Sequence, residues 1–497
     1  MGNSSRYLVL LKDNIRTIGA FTFTIVFTVV SIFIFKSDSA FIWVIPASLL
    51  TGLLAFVAID KFLLLTVFFV PLSVQLIFIL PESPVDLFLP TEVMLAGILL
   101  LMIFKLFYSH EISGKILRHP VTIVSFLILG WCLITSFSGT MPLVSVKSLI
   151  TRLWFFAGFY LLAAHLFRDK SRIKTYFSAY ISGMIPVVVY YLIRMWQSGI
   201  FNQKLAYKAI RPFFNDHTSF GAALAFCIPV IVWFIAGRRT SKTVKVALLI
   251  LFAVFSAGLV FSYSRAAWLS LAVASLAALF LILKISLKII LPVVFAVFIF
   301  MFLSWPEIII RLNENKQDSS DNLGSHLQSI SNIRSDASNL ERVNRWKSAM
   351  RMFRERPVMG WGPATYQFNY APFQISSEKT IISTNYGEGG NAHSEYIGAL
   401  VDSGIPGVCL YVLLLFLSIR KGIVIWKSHK EKQIRYLALA LVAGLATYAI
   451  HGALNNFLDT DKISALFWGM LAAIVAIDVE GIEEKENKEL SQVGSDD

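Results

Sequence analysis

The chain of 497 residues is 56% hydrophobic and only 15% charged, whereas soluble proteins carry about 25% charged residues. Apolar runs of about 18 or more residues recur along its whole length, and runs of this length are typical of membrane-spanning helices. This composition excludes a soluble globular protein. The net charge of +13 requires no nucleic-acid partner, because much of it lies in loops on one predicted side of the membrane.

The apolar runs predict an all-α polytopic integral membrane protein with about 12–14 transmembrane helices, at about 20 residues per span. The first run is too long, and too poorly followed by a cleavage site, to be a removable signal peptide. Each of the three cysteines lies inside an apolar run, which favours small core residues over metal ligands or disulfides. The predicted spans lie near residues 17–35, 40–59, 62–80, 91–108, 120–138, 150–166, 176–197, 218–236, 243–263, 266–283, 286–304, 396–418, 435–452 and 462–478.

Every second loop between these spans is rich in Lys and Arg, whereas the other loops carry few positive charges. Cytoplasmic loops of membrane proteins carry the excess of Lys and Arg. The protein is therefore predicted to lie in the cytoplasmic membrane with both termini in the cytoplasm. The predicted regions are N-terminal helices 1–210, central helices 211–304, a large extracytoplasmic loop 305–395, C-terminal helices 396–478 and a disordered acidic tail 479–497.

The large loop has two parts. Residues 313–337 are polar and predict a flexible excursion. Residues 338–356 predict an amphipathic helix that begins with a capping box at Ser338 and Glu341 and ends before Pro357. Its predicted apolar face, with the arginines on other faces, lies along the outer membrane surface or caps a cavity there. That face consists of Leu340, Val343, Trp346, Met350 and Phe353. After a Gly360–Pro363 turn, Tyr366, Phe368 and Tyr370 are predicted to add aromatic surface.

Charged residues near the spans collect at the predicted outer ends, where an anionic substrate of the outer leaflet would be bound. Arg265 lies in a short turn between two spans, where it could present its guanidinium to phosphate oxygens beside free helix N–H groups. The alternative for Arg265 is an arginine extended to the headgroup level. For Arg342, the alternative to a substrate-binding role is a position on the solvated face of the loop helix. The group comprises Glu92, Arg152, Arg194, Arg211, His217, Arg265, His451 and Asp459.

His393 lies in a polar, glycine-rich run that enters a span within three residues. A histidine there is a candidate base, although a structural role is the commoner one for a lone histidine. The flanking Asn391, Ser394 and Glu395 favour a site. No phosphate-binding Walker motif, zinc motif or Asp-x-Asp metal motif occurs, so neither a metal nor another cofactor is expected.

Several motifs follow one another between residues 211 and 468. The first is Ser262-Tyr263-Ser264-Arg265, followed by Trp268, and the second is Arg342-x-x-x-Trp346, followed by Pro357, Gly360-x-Gly362 and Tyr366. The third is Asn391-Ala392-His393-Ser394, with Gly404-x-x-Gly407 beginning eleven residues after the histidine. The fourth is Asp459 ahead of Ala465-Leu466-Phe467-Trp468. This set resembles the O-antigen ligase and O-antigen polymerase superfamily of bacterial surface-polysaccharide enzymes. Residues before 211 match only in being apolar helices, and the family often has fewer spans than are predicted here.

The resemblance implies a GT-C-like membrane glycosyltransferase that inverts the anomeric carbon without a metal. Its donor would be a saccharide on a polyprenyl diphosphate and its acceptor a glycan hydroxyl, both at the outer face of the membrane. It implies that His393 is the general base and that Arg265 and Arg342 bind the diphosphate. Flippase and chain-length regulator proteins are further implied partners. Supporting or acceptor-binding residues would be Arg211, His217, Asn391, Glu395 and Asp459.

Three functions remain open. A polymerase of O-antigen, exopolysaccharide or teichuronic-acid type would extend a lipid-linked chain, whereas a ligase would transfer the finished chain to a final acceptor such as a lipid core. The aromatic residues Tyr366–Tyr370 favour a polymerase, because they could hold an extended glycan. A transporter of an anion or lipid-linked sugar is the third alternative, but it would be expected to show broken helices or paired charges at mid-membrane, or an internal repeat.

Overall fold

The computed structural model describes residues 58–79, 87–108, 113–197, 199, 203–237, 241–286, 288, 292, 299, 340–380, 383–384 and 390–493. This part of the chain is almost entirely helical, and its strands Val74–Gln75 and Phe88–Leu89 form one short antiparallel pair. Nine of the described helices are long and apolar enough to cross a membrane. They are Pro120–Ser138, Pro142–Leu166, Lys170–Gln197, His217–Ile235, Lys242–Phe261, Arg265–Ile282, Glu395–Ser428, Lys432–His451 and Asp461–Ile482. The predicted all-α polytopic membrane fold is therefore confirmed.

The remaining described elements are short or lie outside these nine helices. The α-helices are Ile59–Phe69, Thr91–Tyr108, Gly114–Leu117, Gln203–Ala209, 340–355 and Tyr366–Asn369. The 3-10 turns are Val70–Leu72, Leu76–Phe78, Ala371–Phe373 and Ser376–Glu378, and Phe156–Leu162 is a π-helical stretch within Pro142–Leu166. The predicted span 17–35, the excursion 313–337 and the Ser338 cap lie outside the described residues. Of the predicted spans 40–59 and 286–304, only residues 58–59, 286, 288, 292 and 299 are described.

The predicted span 62–80 is wrong. Its helix, Ile59–Phe69, has only 11 residues, which at 1.5 Å per residue is far shorter than a bilayer core of about 30 Å. Pro71 lies in the 3-10 turn that follows, and proline cannot donate the hydrogen bond that would continue the helix. The chain then enters strand Val74–Gln75. Hydrophobicity alone did not reveal this break.

The last helix continues from Asp461 to Val493 and so covers most of residues 479–497, the predicted acidic tail. Its first half is the most deeply packed part of the bundle, together with Lys432–His451. Arg265–Ile282 packs on His217–Ile235 and on Lys432–His451. This packing brings the first turns of Arg265–Ile282 and His217–Ile235 to the last turn of Lys432–His451.

The helix Glu395–Ser428 is broken at Gly404, which has φ 67° and ψ −169°. A Cβ at Gly404 would lie 2.0 Å from the carbonyl oxygen of Val358, so the 357–362 turn fits against this position only because it is glycine. The turn also fills the broken ladder of backbone hydrogen bonds, with the amides of Trp361 and Gly362 donating to the carbonyls of Val401 and Asp402 (both 2.9 Å).

Two further bonds complete the junction. The amide of Ile405 donates to the carbonyl of Pro357 at 2.9 Å, and the indole Nε1 of Trp131 donates to the carbonyl of Ser403 at 2.7 Å. Backbone groups freed by a break in a membrane helix must find such partners. The outer loop is therefore bonded directly to the helix that follows His393.

The helix 340–355 occupies the predicted place but buries a different face. The predicted apolar residues Val343, Trp346, Met350 and Phe353 are only half-buried. The most buried side chains along the helix include a polar stripe of Glu341, Asn344, Arg345 and Ser348. Polar residues can be buried here because neighbouring groups pair with them, as described below.

The predicted aromatic surface is wrong for two of its three residues. Tyr366 and Tyr370 are 3% and 0% exposed and stack with ring centroids 5.2 Å apart. They form a small outer core with Met352 and Ala392. Phe368 alone of the three is exposed, at 48%. The two tyrosines stabilise the loop and offer no surface to an extended glycan.

Candidate active site

His393 lies in a tightly held turn immediately before the helix that begins at Glu395. The side-chain oxygen of Asn391 accepts a hydrogen bond from the His393 amide at 3.0 Å, and His393 has a φ of 47°. The Ser394 hydroxyl caps the helix by accepting from the Ile397 amide. The imidazole of His393 makes no hydrogen bond within the described part of the chain. Its side chain is only half-buried, so it can face a ligand.

Arg345 fixes this turn from the loop helix. Its guanidinium donates to the carbonyl of Asn391 at 3.1 Å. A Cβ added at Gly390 would lie only 1.7 Å from a nitrogen of the same guanidinium. Glycine at position 390 is therefore required for this contact. Arg345 pairs with Glu341 at 2.9 Å and lies over the ring of Tyr370 at 5.4 Å.

Glu341 is held in turn by hydrogen bonds from Thr380 and Ser383. These bonds and Arg345 lower the pKa of Glu341, although burial opposes them. The buried ion pair is therefore fully supplied with partners, which is the condition under which buried charge is tolerated. The i,i+4 spacing of Glu341 and Arg345 was the sequence signal for this pair.

Distant segments converge around His393. Arg342, on the loop helix, interacts electrostatically with Asp216 and Arg265. The imidazole of His393 interacts with Arg345, Arg342 and Asp216. His217 and His451 both interact with Asp216 and Arg342. The structure therefore brings His393, Arg342, Arg265 and His217 together at one end of the bundle.

The turn that presents Arg265 is shaped by its own residues. Tyr263 has φ 52°, and the Ser262 hydroxyl and the Trp268 indole both donate to the carbonyl of Leu259 at 2.7 Å. A Cβ on Gly221 would lie 2.7 Å from the Cβ of Ser264, so the neighbouring helix packs closely against this turn. Arg265 is the first residue of its helix and is exposed.

Asp216 was not identified from the sequence as a site residue. It is the N-cap of His217–Ile235 and accepts from the amides of Thr218 and Ser219, both at 2.8 Å. An Asp followed by small residues ahead of an apolar run signals a cap, but nothing in that signal indicates that the same carboxylate faces Arg342. Only packing places it there.

The pKa of His393 is lowered to about 3, first by burial and then by the positive charges of Arg345 and Arg342, while Asp216 opposes them. The imidazole is therefore neutral at neutral pH and can accept a proton. Burial and the neighbouring Arg265 also lower the pKa of Arg342, but a guanidinium stays charged throughout the ordinary pH range. The site combines a neutral imidazole with two cationic groups that repel each other.

The other predicted residues occupy different positions. Arg211 is exposed and donates to the carbonyl of Asn215 at 3.1 Å. The carboxylate of Glu395 accepts from the amides of Phe457 and Leu458 (2.8 and 3.0 Å) and so ties the helix to the loop after His451. Asp459 is exposed in that loop and interacts electrostatically with Arg152.

Among the described residues, no group of three or more His, Cys, Asp or Glu side chains could hold a metal ion. The fold and this site define a polytopic membrane protein in which a large loop joins a histidine and several arginines at the ends of the membrane helices. Residues 250–412 match the family described as O-Antigen ligase. The match confirms the predicted resemblance to the O-antigen ligase and polymerase superfamily and indicates a membrane enzyme of polysaccharide assembly.

The matched region includes Arg265, Arg342 and His393, whereas Asp216 and Asp459 lie outside it. Among curated proteins, none matches the chain at a significant level.

Proposed function

We propose that the protein is an inverting, metal-independent glycosyltransferase at the outer face of the cytoplasmic membrane. It transfers a saccharide from a polyprenyl diphosphate to a hydroxyl of a glycan. The observation that carries the proposal is the grouping of His393 with Arg342, Asp216 and, next to Arg342, Arg265. The family match supports the same class of reaction.

The two arginines suit a diphosphate. Arg342 and Arg265 repel each other, and Asp216 can neutralise only one of them. An anion between the two guanidinium groups removes this repulsion, and each planar guanidinium can donate two hydrogen bonds to phosphate oxygens. The exposed start of the Arg265 helix adds free backbone N–H groups. The same groups stabilise the negative charge that develops on the leaving diphosphate.

His393 supplies the proton acceptor. Its neutral imidazole takes the proton of the acceptor hydroxyl while that oxygen bonds to the anomeric carbon. The bond from this carbon to the diphosphate oxygen breaks, and its electron pair leaves with the diphosphate. One displacement of this kind inverts the anomeric centre. The bound diphosphate also raises the pKa of His393, because its negative charge favours the imidazolium form.

Neighbouring residues support these roles. Asp216 faces the imidazole and stabilises the imidazolium that forms during the reaction. Asn391 holds the His393 backbone, His217 lies beside Arg342, and Glu395 fixes the following helix to the next outer loop. Arg211 is exposed at the edge of this region, where it can bind a distal part of the substrate.

The membrane side follows from the charge bias. Loops rich in Lys and Arg lie on the cytoplasmic side, which places the described outer loop and His393 on the opposite side and both termini in the cytoplasm. A lipid-linked donor must then reach the outer leaflet first. This order of events requires a flippase, and a chain-length regulator protein is a further proposed partner.

Polymerisation and ligation use the same chemistry on different acceptors. Burial of Tyr366 and Tyr370 removes the argument that favoured a polymerase, so we keep both reactions under the proposed activity. Pools of lipid-linked glycan in cells that lack the protein separate them. Accumulation of single repeat units identifies a polymerase, and accumulation of finished chains identifies a ligase.

A transporter is less well supported. The break at Gly404 is a transporter-like feature that was not expected. However, the carbonyls of Val401, Asp402 and Ser403 are bonded to the outer loop or to Trp131 and are not left for an ion. The break anchors the loop that carries Arg342.

The test is reconstitution of the purified full chain in liposomes with the lipid-linked glycan that accumulates in the deletion strain. The expected result is release of polyprenyl diphosphate, a new glycosidic bond of inverted anomeric configuration by NMR, and the same rate with EDTA. Movement of the glycan across the bilayer without a new bond would overturn glycosyl transfer in favour of transport. A retained configuration would overturn the single displacement.

A further inference from the structure

A second group of charges lies around the break in Glu395–Ser428. Arg152 interacts electrostatically with Asp402, on that helix, and with Asp459, in the loop after His451. Glu395 also interacts with Arg152 and with Asp459. The strongest carboxylate interactions of Arg152 are with Asp402 and Glu395, and Asp459 interacts with Arg152, whereas the charges that act most strongly on His393 are Arg345, Arg342 and Asp216. The two groups of charges therefore have different principal partners.

The arginine in this group attracts two carboxylates but touches neither. Arg152 forms no ion pair with Asp402 or Asp459 in the described part of the chain, and its guanidinium donates instead to the thiol of Cys132 at 3.0 Å. A thiol is a weak acceptor. Opposite charges held close together without contact leave a gap that a water or a hydroxyl can bridge.

Buried polar atoms nearby lack partners among the described residues. One oxygen of Asp402 accepts from the amide of Ala364 at 2.9 Å, and the amide of Tyr366 also interacts with this carboxylate, but the second oxygen, Oδ1, is buried without a partner of good hydrogen-bond geometry. The hydroxyl of Tyr411, whose residue is 8% exposed, also has none, and it interacts electrostatically with Glu395. Oδ1 of Asn456, three residues before Asp459, is in the same situation. Unsatisfied buried polar atoms are costly unless a ligand or water completes them.

The gap is open to a ligand from one side. Asp459 is exposed, whereas Arg152 and Asp402 are half-buried. Asp402 lies nine residues after His393 on the helix that this histidine precedes. In an inverting displacement the acceptor approaches on the face opposite the leaving group. Groups near His393 but apart from Arg265 and Arg342 are therefore on the acceptor side.

We propose that Arg152, Asp402 and Asp459 form a binding site for the hydroxyl groups of an uncharged sugar unit in the acceptor glycan. A guanidinium and carboxylates alternate as donors and acceptors, which matches the vicinal hydroxyls of a sugar. The carboxylates outnumber the arginine, so a carboxylated or phosphorylated sugar is disfavoured in this site. This inference rests on the proposed glycosyl transfer and adds the chemical class of the acceptor unit.

The test uses two probes on the full chain in lipid nanodiscs. The first is the saccharide released by mild acid from the lipid-linked glycan of the deletion strain. The second is farnesyl diphosphate, a lipid diphosphate without sugar. Asp459→Asn and Arg152→Gln are compared with Glu355→Gln, an exposed carboxylate on the outer loop helix that serves as the control.

We expect both variants to bind the saccharide about tenfold or more weakly, since each loses hydrogen bonds to a charged group. Their affinity for farnesyl diphosphate should stay unchanged, as should both affinities of Glu355→Gln. Because Asp459 is exposed, its variant keeps the test valid if Arg152→Gln fails to fold. Unchanged saccharide binding by Asp459→Asn, or no saccharide binding by the wild type, would overturn the acceptor site. Failure of farnesyl diphosphate to bind would instead contradict the proposed donor site.

Discussion

Two groups of charges in this protein are built on opposite rules. At the start of the last helix, Lys462 and Asp461 are 2% and 0% exposed. Lys462 donates to the carbonyl of Ser73 at 3.1 Å, and Asp461 accepts from the hydroxyls of Ser73 and Thr91 at 2.7 and 2.5 Å. Every charge there has a close partner of opposite sign or a hydrogen bond.

The charges around His393 are arranged differently. Arg265 and Arg342 repel each other, Asp216 offsets only one of them, and the imidazole of His393 has no hydrogen bond in the described structure. The first group holds the Ile59–Leu89 region against the last helix and leaves nothing for a ligand. The second keeps an excess of positive charge and a free base. The excess of positive charge, together with the more open positions of Arg265 and His393, distinguishes the candidate site from the structural group of charges.

The largest effect is expected for His393→Ala. Loss of a general base lowers turnover of the lipid-linked donor by about a hundredfold to ten-thousandfold. The measurement is the initial rate in reconstituted liposomes at equal protein content. His429→Ala, at the other end of the same helix, is the matched control and should keep the wild-type rate. An equal rate in both variants would remove His393 from the chemistry.

The paired group should respond in stability and not in activity. Lys462→Met leaves Asp461 as an uncompensated buried charge, which costs about 3–5 kcal/mol of unfolding free energy. Thermal unfolding in detergent measures the loss, and the double variant Asp461→Asn, Lys462→Met should recover part of it. The specific activity of the folded fraction should not change. Lost activity at unchanged stability would mean that this group is functional and that the comparison fails.

A smaller effect is expected for Arg265→Lys, which keeps the charge but loses the planar pair of donors. Losing a charged hydrogen bond of about 1.5–3 kcal/mol lowers kcat/KM for the donor by about tenfold to a hundredfold. Arg354→Lys, exposed on the loop helix, is the control. A wild-type kcat/KM in Arg265→Lys would restrict Arg265 to a headgroup contact.

The smallest predicted kinetic change is a displaced pH profile in Arg345→Met, measured on the folded fraction because this variant also leaves Glu341 as an uncompensated buried charge. Arg345 lowers the pKa of His393, so removing its charge raises that pKa. The neutral base is then lost at a higher pH, and the acid limb of kcat moves upward by about one pH unit. Arg345→Lys keeps a positive charge and should leave the limb near its wild-type position. A lower rate at every pH without displacement of the limb would limit Arg345 to a structural role.

The sequence predicted the elements that hydrophobicity and local motifs control. Most spans were located because an apolar run of about 20 residues has few other uses, and His393, Arg265 and Arg342 were identified from short motifs. Ile59–Phe69 was misjudged because its neighbours are equally apolar and only Pro71 marks the break. Gly360 was predicted to lie in a turn and Gly404 was part of a motif, but the close packing of these two segments is a tertiary contact that spacing does not reveal.

The site was only partly predictable for the same reason. Asp216 was not singled out from the sequence, and Arg345 was only one of several arginines on the other faces of the loop helix; packing brings both to His393. The loop helix buried its polar stripe because Glu341 and Arg345 found partners in residues 380–391, and an amphipathic pattern cannot show such partners. Arg152 and Asp402 were separated by 250 positions in the chain, so their proximity had no sequence signal.

The central claim is that His393 shares one electrostatic environment with arginines that bind a lipid diphosphate. The most direct test is the titration of the His393 imidazole by NMR in nitrogen-labelled protein, assigned by comparison with His393→Gln, with and without farnesyl diphosphate. We expect the pKa of His393 to lie far below its ordinary value, at about 3, and to rise when the diphosphate binds. A pKa of about 6.5 that does not change on adding farnesyl diphosphate would contradict it.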